Sequence, residues 1–113
     1  MHTLQNIFSE LPDGASGQEI LEEIITLDLV RIERIISTGQ ISPEGFWYDQ
    51  EDNEWVLLLQ GNARIEFKKG KEAILAAGDY LFLPAHQKHR ITFTSVDPAC
   101  IWLAVYWPPQ PED

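Results

Sequence analysis

From Leu29 onward, apolar and polar residues alternate in short runs, each closed by turn formers. Val30-Arg-Ile-Glu-Arg-Ile-Ile36 is rich in β-branched side chains, which suit a pleated, half-buried surface. Thr38-Gly-Gln and Ser42-Pro-Glu-Gly45 break that run, and Phe46-Trp-Tyr-Asp-Gln50 reads as the next strand. An acidic turn at 51–53 leads into Glu54-Trp-Val-Leu-Leu-Leu-Gln60, and Gly61-Asn62 reads as a tight turn into Ala63-Arg-Ile-Glu-Phe67. After a hairpin loop at Lys68-Lys-Gly-Lys71, strands are expected at 72–76, 80–83, 90–94 and 101–107. Residues 18–27 have apolar positions at helical spacing, but the stretch is short and β-branched, and a strand is the expectation. Seven to nine short strands with frequent turns predict an all-β antiparallel sandwich or barrel.

The ends lack this pattern. Residues 1–17 carry Pro12, Asp13-Gly14 and Ser16-Gly17 and read as an irregular lead-in, with one helical turn at 6–11. The tail, 108–113, holds three prolines that cannot join a ladder. One barrel domain over 18–107 remains, consistent with a 113-residue chain.

Charge narrows the partners. Residues 1–56 hold twelve carboxylates against Arg31 and Arg34, whereas residues 57–113 are balanced, so the whole net charge of −10 lies in the first half. An acidic chain without a basic stripe repels phosphate backbones and anionic headgroups, which argues against nucleic acid and membrane surfaces. The single cysteine, Cys100, lies in an apolar run and is expected to be a buried, inert thiol. With no export signal and no pair for a disulfide, the cytoplasm is the expected location.

Two clusters carry candidate chemistry. His86 and His89 lie in one short loop and can converge on a metal ion, or be two solvated loop histidines. Asp49, Glu51, Asp52 and Glu54 supply oxygen donors beside the amide of Gln50. Glu54 shares a strand face with Val56 and Leu58, which points its carboxylate inward. A buried carboxylate needs a cation, a histidine or an arginine such as Arg90.

These clusters resemble the motifs of small single-domain bacterial cupins. Glu54-Trp-Val-Leu-Leu-Leu-Gln-Gly61 resembles the end of the first motif, a metal-binding glutamate and a turn glycine with six residues between them. Gly78-Asp-Tyr-Leu-Phe-Leu-Pro84-Ala-His-Gln-Lys-His89 resembles the second, which ends on the metal-binding histidine. The resemblance implies a double-stranded β-helix, a jelly-roll barrel with a site in its mouth. It carries a metal-ligand role over to Glu54 and His89 only. Where the first motif has two histidines, this chain has Trp47 and Asp49, or with a shorter gap Tyr48 and Gln50. His86 replaces a glycine of the second motif, and Phe93 its closing asparagine.

Strand alternation puts Trp47 and Asp49 on one face, Tyr48 and Gln50 on the other. The longer gap sends Asp49 inward, and Asp49, Glu54, His86 and His89 would then suit Zn²⁺, Fe²⁺, Mn²⁺ or Ni²⁺. The shorter gap lines the pocket with Tyr48 and Gln50, weak replacements for imidazoles, and leaves a pocket without metal. Trp47 and Phe93 are further pocket candidates. Two readings of function follow: a metal-dependent enzyme acting on a small polar or anionic metabolite, or a non-catalytic ligand-binding or sensor protein. A homodimer formed by pairing of exposed strands, with 101–107 as the candidate, is compatible with either.

Overall fold

The computed structural model describes residues 3–15 and 17–111. His2, Ser16 and the last two residues lie outside that range. Eight strands follow in chain order: β1 (Ile20–Leu27), β2 (Val30–Ser37), β3 (Asn53–Gln60), β4 (Asn62–Phe67), β5 (Glu72–Ala76), β6 (Tyr80–Leu83), β7 (His89–Thr94) and β8 (Cys100–Trp107). They form a five-stranded sheet in the order β1-β2-β8-β3-β6 and a three-stranded sheet in the order β5-β4-β7, with every pairing antiparallel. The antiparallel architecture expected from the alternation and the barrel implied by the cupin resemblance are therefore present, and the ambiguous segment after residue 18 is a strand. No helix among the described residues is long and apolar enough to cross a membrane.

Period-two burial decides which side chains enter the barrel. On β3, Glu54, Val56 and Leu58 are buried while Trp55 and Leu57 between them are half-buried. Ala63 and Ile65 on β4 do the same, as do Trp102, Ala104 and Tyr106 on β8. Leu58, Ala63, Leu75 and Cys100 close one end of the barrel with apolar atoms. The opposite end carries Glu54, Tyr106 and His89, all less than a tenth exposed. The polarity of the interior thus changes along each strand, and this gradient positions the site.

Several local expectations are corrected. Gly61 does not make a β3–β4 hairpin, because β3 and β4 lie in different sheets. It turns the chain from one sheet to the other at φ +95°, where a Cβ would stand 2.9 Å from the Cα of Cys100. Residues 46–50 are not a strand. Tyr48 makes a single bridge to His89, through Tyr48 N–H to His89 O at 2.7 Å and His89 N–H to Tyr48 O at 3.2 Å. A turn closed by Phe46 N–H to Pro43 O precedes it, and the Gln50 carbonyl is taken by the His86 amide, so the ladder cannot extend. The lead-in has a turn closed by Ser9 N–H to Asn6 O, and no helix among the described residues. β8 lies between β2 and β3 at the centre of its sheet, so 101–107 offers no free edge to a second chain.

Arg34 anchors the lead-in. Its side chain is 7% exposed and donates to the carbonyls of Ile7 and Ser9 at 3.0 and 2.7 Å and to Glu22 at 2.7 Å. Cys100 is fully buried, with Sγ 3.1 Å from the Asn62 carbonyl.

Candidate functional site

The open end of the barrel encloses a cavity of about 290 Å³ between the two sheets. That is room for a small metabolite, at the lower edge of the roughly 300–1,000 Å³ typical of ligand pockets. Its walls are apolar where Val56, Ile65, Leu83 and Ile91 project inward. Its polar groups gather in two places.

The first centres on Glu54. Register pairs Glu54 with Tyr106 across β3 and β8, so their side chains are neighbours on the inner face. The Tyr106 hydroxyl lies beside the Glu54 carboxyl, and Gln50 Nε2 donates to Glu54 Oε1 at 3.0 Å. Burial pushes the Glu54 carboxyl above its ordinary range, opposed by the Gln50 hydrogen bond, the nearby His89 and the Tyr106 hydroxyl. Burial and the Glu54 carboxylate likewise push the Tyr106 phenol upward. His89 donates from Nδ1 to the Gln87 carbonyl at 3.0 Å. A carbonyl only accepts, so Nδ1 carries the proton of this hydrogen bond and Nε2 is left for another partner. Tyr48 covers the imidazole, with ring centroids 5.3 Å apart and planes at 22°.

The second group lies between β1 and β2. Trp102 Nε1 donates to Ser37 Oγ at 3.2 Å, and Ser37 Oγ donates to Glu19 at 3.0 Å. Burial raises the Glu19 pKa, with the Ser37 hydrogen bond opposing it. Arg31 pairs with Glu33 at 2.8 Å and lies over the Tyr106 ring, its Cζ 4.2 Å from the centroid. Tyr48 feels both groups: burial raises its pKa first, then the charges of Glu19 and Glu54.

The residues singled out from the sequence divide in three. Glu54, His89, Tyr48 and Gln50 line the cavity. Asp49 and His86 pair with each other instead, Nδ1 to Oδ1 at 2.8 Å, with both side chains exposed at the mouth. Asp49 therefore does not turn inward, because the Tyr48–His89 bridge gives the inward parity to Tyr48 and Gln50. Trp47 packs beneath Lys68, whose Nζ lies 4.9 Å from the ring centroid, and Phe93 lies on the outer side of the three-stranded sheet, half-exposed. Arg90 does not reach Glu54; it donates to the carbonyls of Ser42 and Pro43 at 3.2 Å.

Glu19, Arg31, Glu33, Ser37, Trp102 and Tyr106 were not recognised as cavity residues from the sequence. For Arg31, Glu33 and Ser37 the signal lies in the odd-numbered positions of 31–37, which share one face with Ile35.

The donor chemistry does not fit a divalent metal. Three protein ligands are the usual minimum for a catalytic ion, and no three His, Cys, Asp or Glu side chains among the described residues converge on one point. Glu54 and His89 share the cavity, but the carboxylate is already held by the Gln50 amide.

The cupin domain family model matches residues 35–106, and the chain belongs to that family. Among solved structures, it is similar to a protein from Ralstonia eutropha JMP134 provisionally named a mannose-6-phosphate isomerase. The two share 37% identity at a TM-score of 0.90, over 96% of this chain and 100% of that one. A cupin superfamily protein from Desulfitobacterium hafniense DCB-2 superposes with TM-score 0.76 at 20% identity, over 96% of this chain and 94% of that one. An RmlC-like cupin from Desulfovibrio desulfuricans does so with TM-score 0.72 at 15% identity, over 96% and 100%. No curated protein matches the sequence. The fold and cavity define a cupin-type small-molecule protein.

Proposed function

We propose that this cupin binds a small polar metabolite in the barrel cavity through Glu54, Tyr106, Gln50 and His89, with no metal ion between protein and ligand. The observation that carries this reading is the Glu54 carboxylate, buried at the cavity's polar end and held by the neutral Gln50 amide beside the Tyr106 hydroxyl. Hydrogen-bonded in this way it is oriented, and its remaining lone pairs and the Nε2 of His89 are available to hydroxyl or amine groups of a ligand.

A metal-dependent enzyme, the alternative drawn from the family motifs, would require Glu54 to exchange that amide for an ion. Titration of untagged protein with Mn²⁺, Fe²⁺, Ni²⁺ and Zn²⁺ tests the choice. Less than about a tenth of an equivalent should be retained. A stoichiometric ion retained by the wild type and lost in both Glu54→Gln and His89→Gln would overturn the metal-free reading.

A second reading is favoured by the 37%-identical protein provisionally named an isomerase. Glu54 has the burial and raised proton affinity of a group that moves a proton between neighbouring carbons of a hydroxylated substrate. Solvent deuterium appearing in a bound carbohydrate, and absent with Glu54→Gln, would support it; binding without exchange would leave the protein a binder.

A further inference from the structure

The charge inventory of the cavity goes one step further and names the class of ligand, on the reading that the cavity is the binding site. The acidic side chains lining it are Glu19, Glu33 and Glu54; its basic ones are Arg31 and His89. Arg31 is already engaged: its Nε meets Glu33 at 2.8 Å, its Nη1 lies 3.9 Å from Asp52 outside the cavity, and its plane covers Tyr106. Glu33 and Arg31 thus neutralise one another. Among the described residues, neither Glu19 nor Glu54 has an ion-pair partner within 4.0 Å, His89 included. Their hydrogen-bond donors, Ser37 to one and Gln50 to the other, are neutral. Glu54 is 7% exposed, so bulk water does little to screen its charge.

Both carboxylates line the same cavity. The stacked Tyr48 and His89 rings and the indole of Trp102 line it with them. Carboxylates without a counter-ion beside aromatic faces attract cations and repel anions.

We propose that the cavity selects a small organic cation, an ammonium or guanidinium compound, whose charge lies between Glu19 and Glu54, and that it rejects phosphorylated and carboxylate ligands. The phosphate in the provisional name of the Ralstonia protein accordingly has no counterpart here: a phosphate would face two carboxylates and one guanidinium that is already paired. Binding of a cation would favour the ionised form of both carboxyls. It should release protons at mildly acidic pH and strengthen as pH rises.

Two matched sets of probes test this on the full chain by isothermal titration: glucosamine, glucose and glucose 6-phosphate, then 1,4-diaminobutane, 1,4-butanediol and succinate. In at least one set the cation should bind at least about tenfold more tightly than the neutral compound, equivalent to ~1.4 kcal/mol. The anion should show no binding in either. Glu19→Gln, which keeps an oxygen to accept from Ser37, should remove most of that preference without unfolding the protein. A neutral or anionic probe that binds as tightly as its cation, cations that fail in both sets, or a preference unchanged in both Glu19→Gln and Glu54→Gln would overturn the proposal. Neutral probes binding alone would do so while leaving the cavity as the binding site. If all six fail, a broad metabolite panel on wild type and on Ile91→Trp, which fills the cavity, separates a wrong ligand class from a cavity that binds nothing.

Discussion

Glu54 and Tyr106 face one another across the β3–β8 ladder, and both side chains are buried on the inner face of the barrel. Strand register makes this contact: with a period of two, moving either strand by one residue would send one partner to the outer face. The pair thus links the alternation pattern to the chemistry of the cavity.

Tyr106→Phe removes the hydroxyl beside Glu54 and leaves the ring. The loss of that polar neighbour of a buried carboxyl should destabilise the protein by about 1 kcal/mol at neutral pH. The same substitution should raise the Glu54 pKa further. Urea denaturation and a carboxyl NMR titration check both.

Glu54→Gln should act in the opposite direction. Because burial raises the folded-state pKa of Glu54, the folded chain holds its proton more tightly than the unfolded chain does. Its contribution to stability is fully present below the ordinary carboxyl range and is lost as pH rises through the folded pKa. The glutamine keeps an oxygen for Gln50 and does not ionise. The variant should therefore gain on the wild type as pH rises from 4 to 8, and denaturation midpoints at both pH values measure the gain.

Gly61→Ala tests the sheet crossing. The positive φ disfavours any side chain, and the added Cβ would stand 2.8 Å from Ser95 Oγ, 2.9 Å from the Cys100 Cα and 3.0 Å from the Ala99 carbonyl. Two of those neighbours are backbone and cannot rotate away. A loss of about 2–4 kcal/mol in chemical denaturation is expected.

The mouth is held by exposed contacts, and Asp49→Ala should behave accordingly. The Asp49–His86 pair is largely solvated, so the global effect should stay within about 0.5 kcal/mol. The local effect should be larger, because this pair and the His86 N–H to Gln50 O bond tie the 46–50 segment to the loop after β6. Faster hydrogen exchange at the Tyr48 amide, without a change at Ile65, is the expected signature.

How much of this was legible in the sequence follows from the same period of two. Ala63-Arg-Ile-Glu-Phe67 alternates cleanly, and its small and apolar positions enter the core as expected. On β2, charges occupy both faces: Arg31 and Glu33 turn into the cavity, whereas Arg34 is buried on the other side by the lead-in carbonyls. Alternation cannot separate two charged faces, so half of the cavity's polar groups went unrecognised. At 46–50 the parity argument was sound, since Tyr48 and Gln50 do turn inward together, away from Trp47 and Asp49. What sequence lacked was the choice of parity, made by one backbone bridge to His89 from 41 residues away along the chain. Such a contact leaves no local pattern.

The most direct measurement is a thermal-shift screen of small polar metabolites on the wild type and on Ile91→Trp, whose indole would occupy the cavity. A ligand at a hundred times its Kd stabilises a protein by ~2.7 kcal/mol, or a rise in Tm of about 10 °C for a domain of this size. The account predicts such a rise in the wild type for at least one compound and none in Ile91→Trp. An equal rise in both proteins, or no rise with any compound, would contradict it.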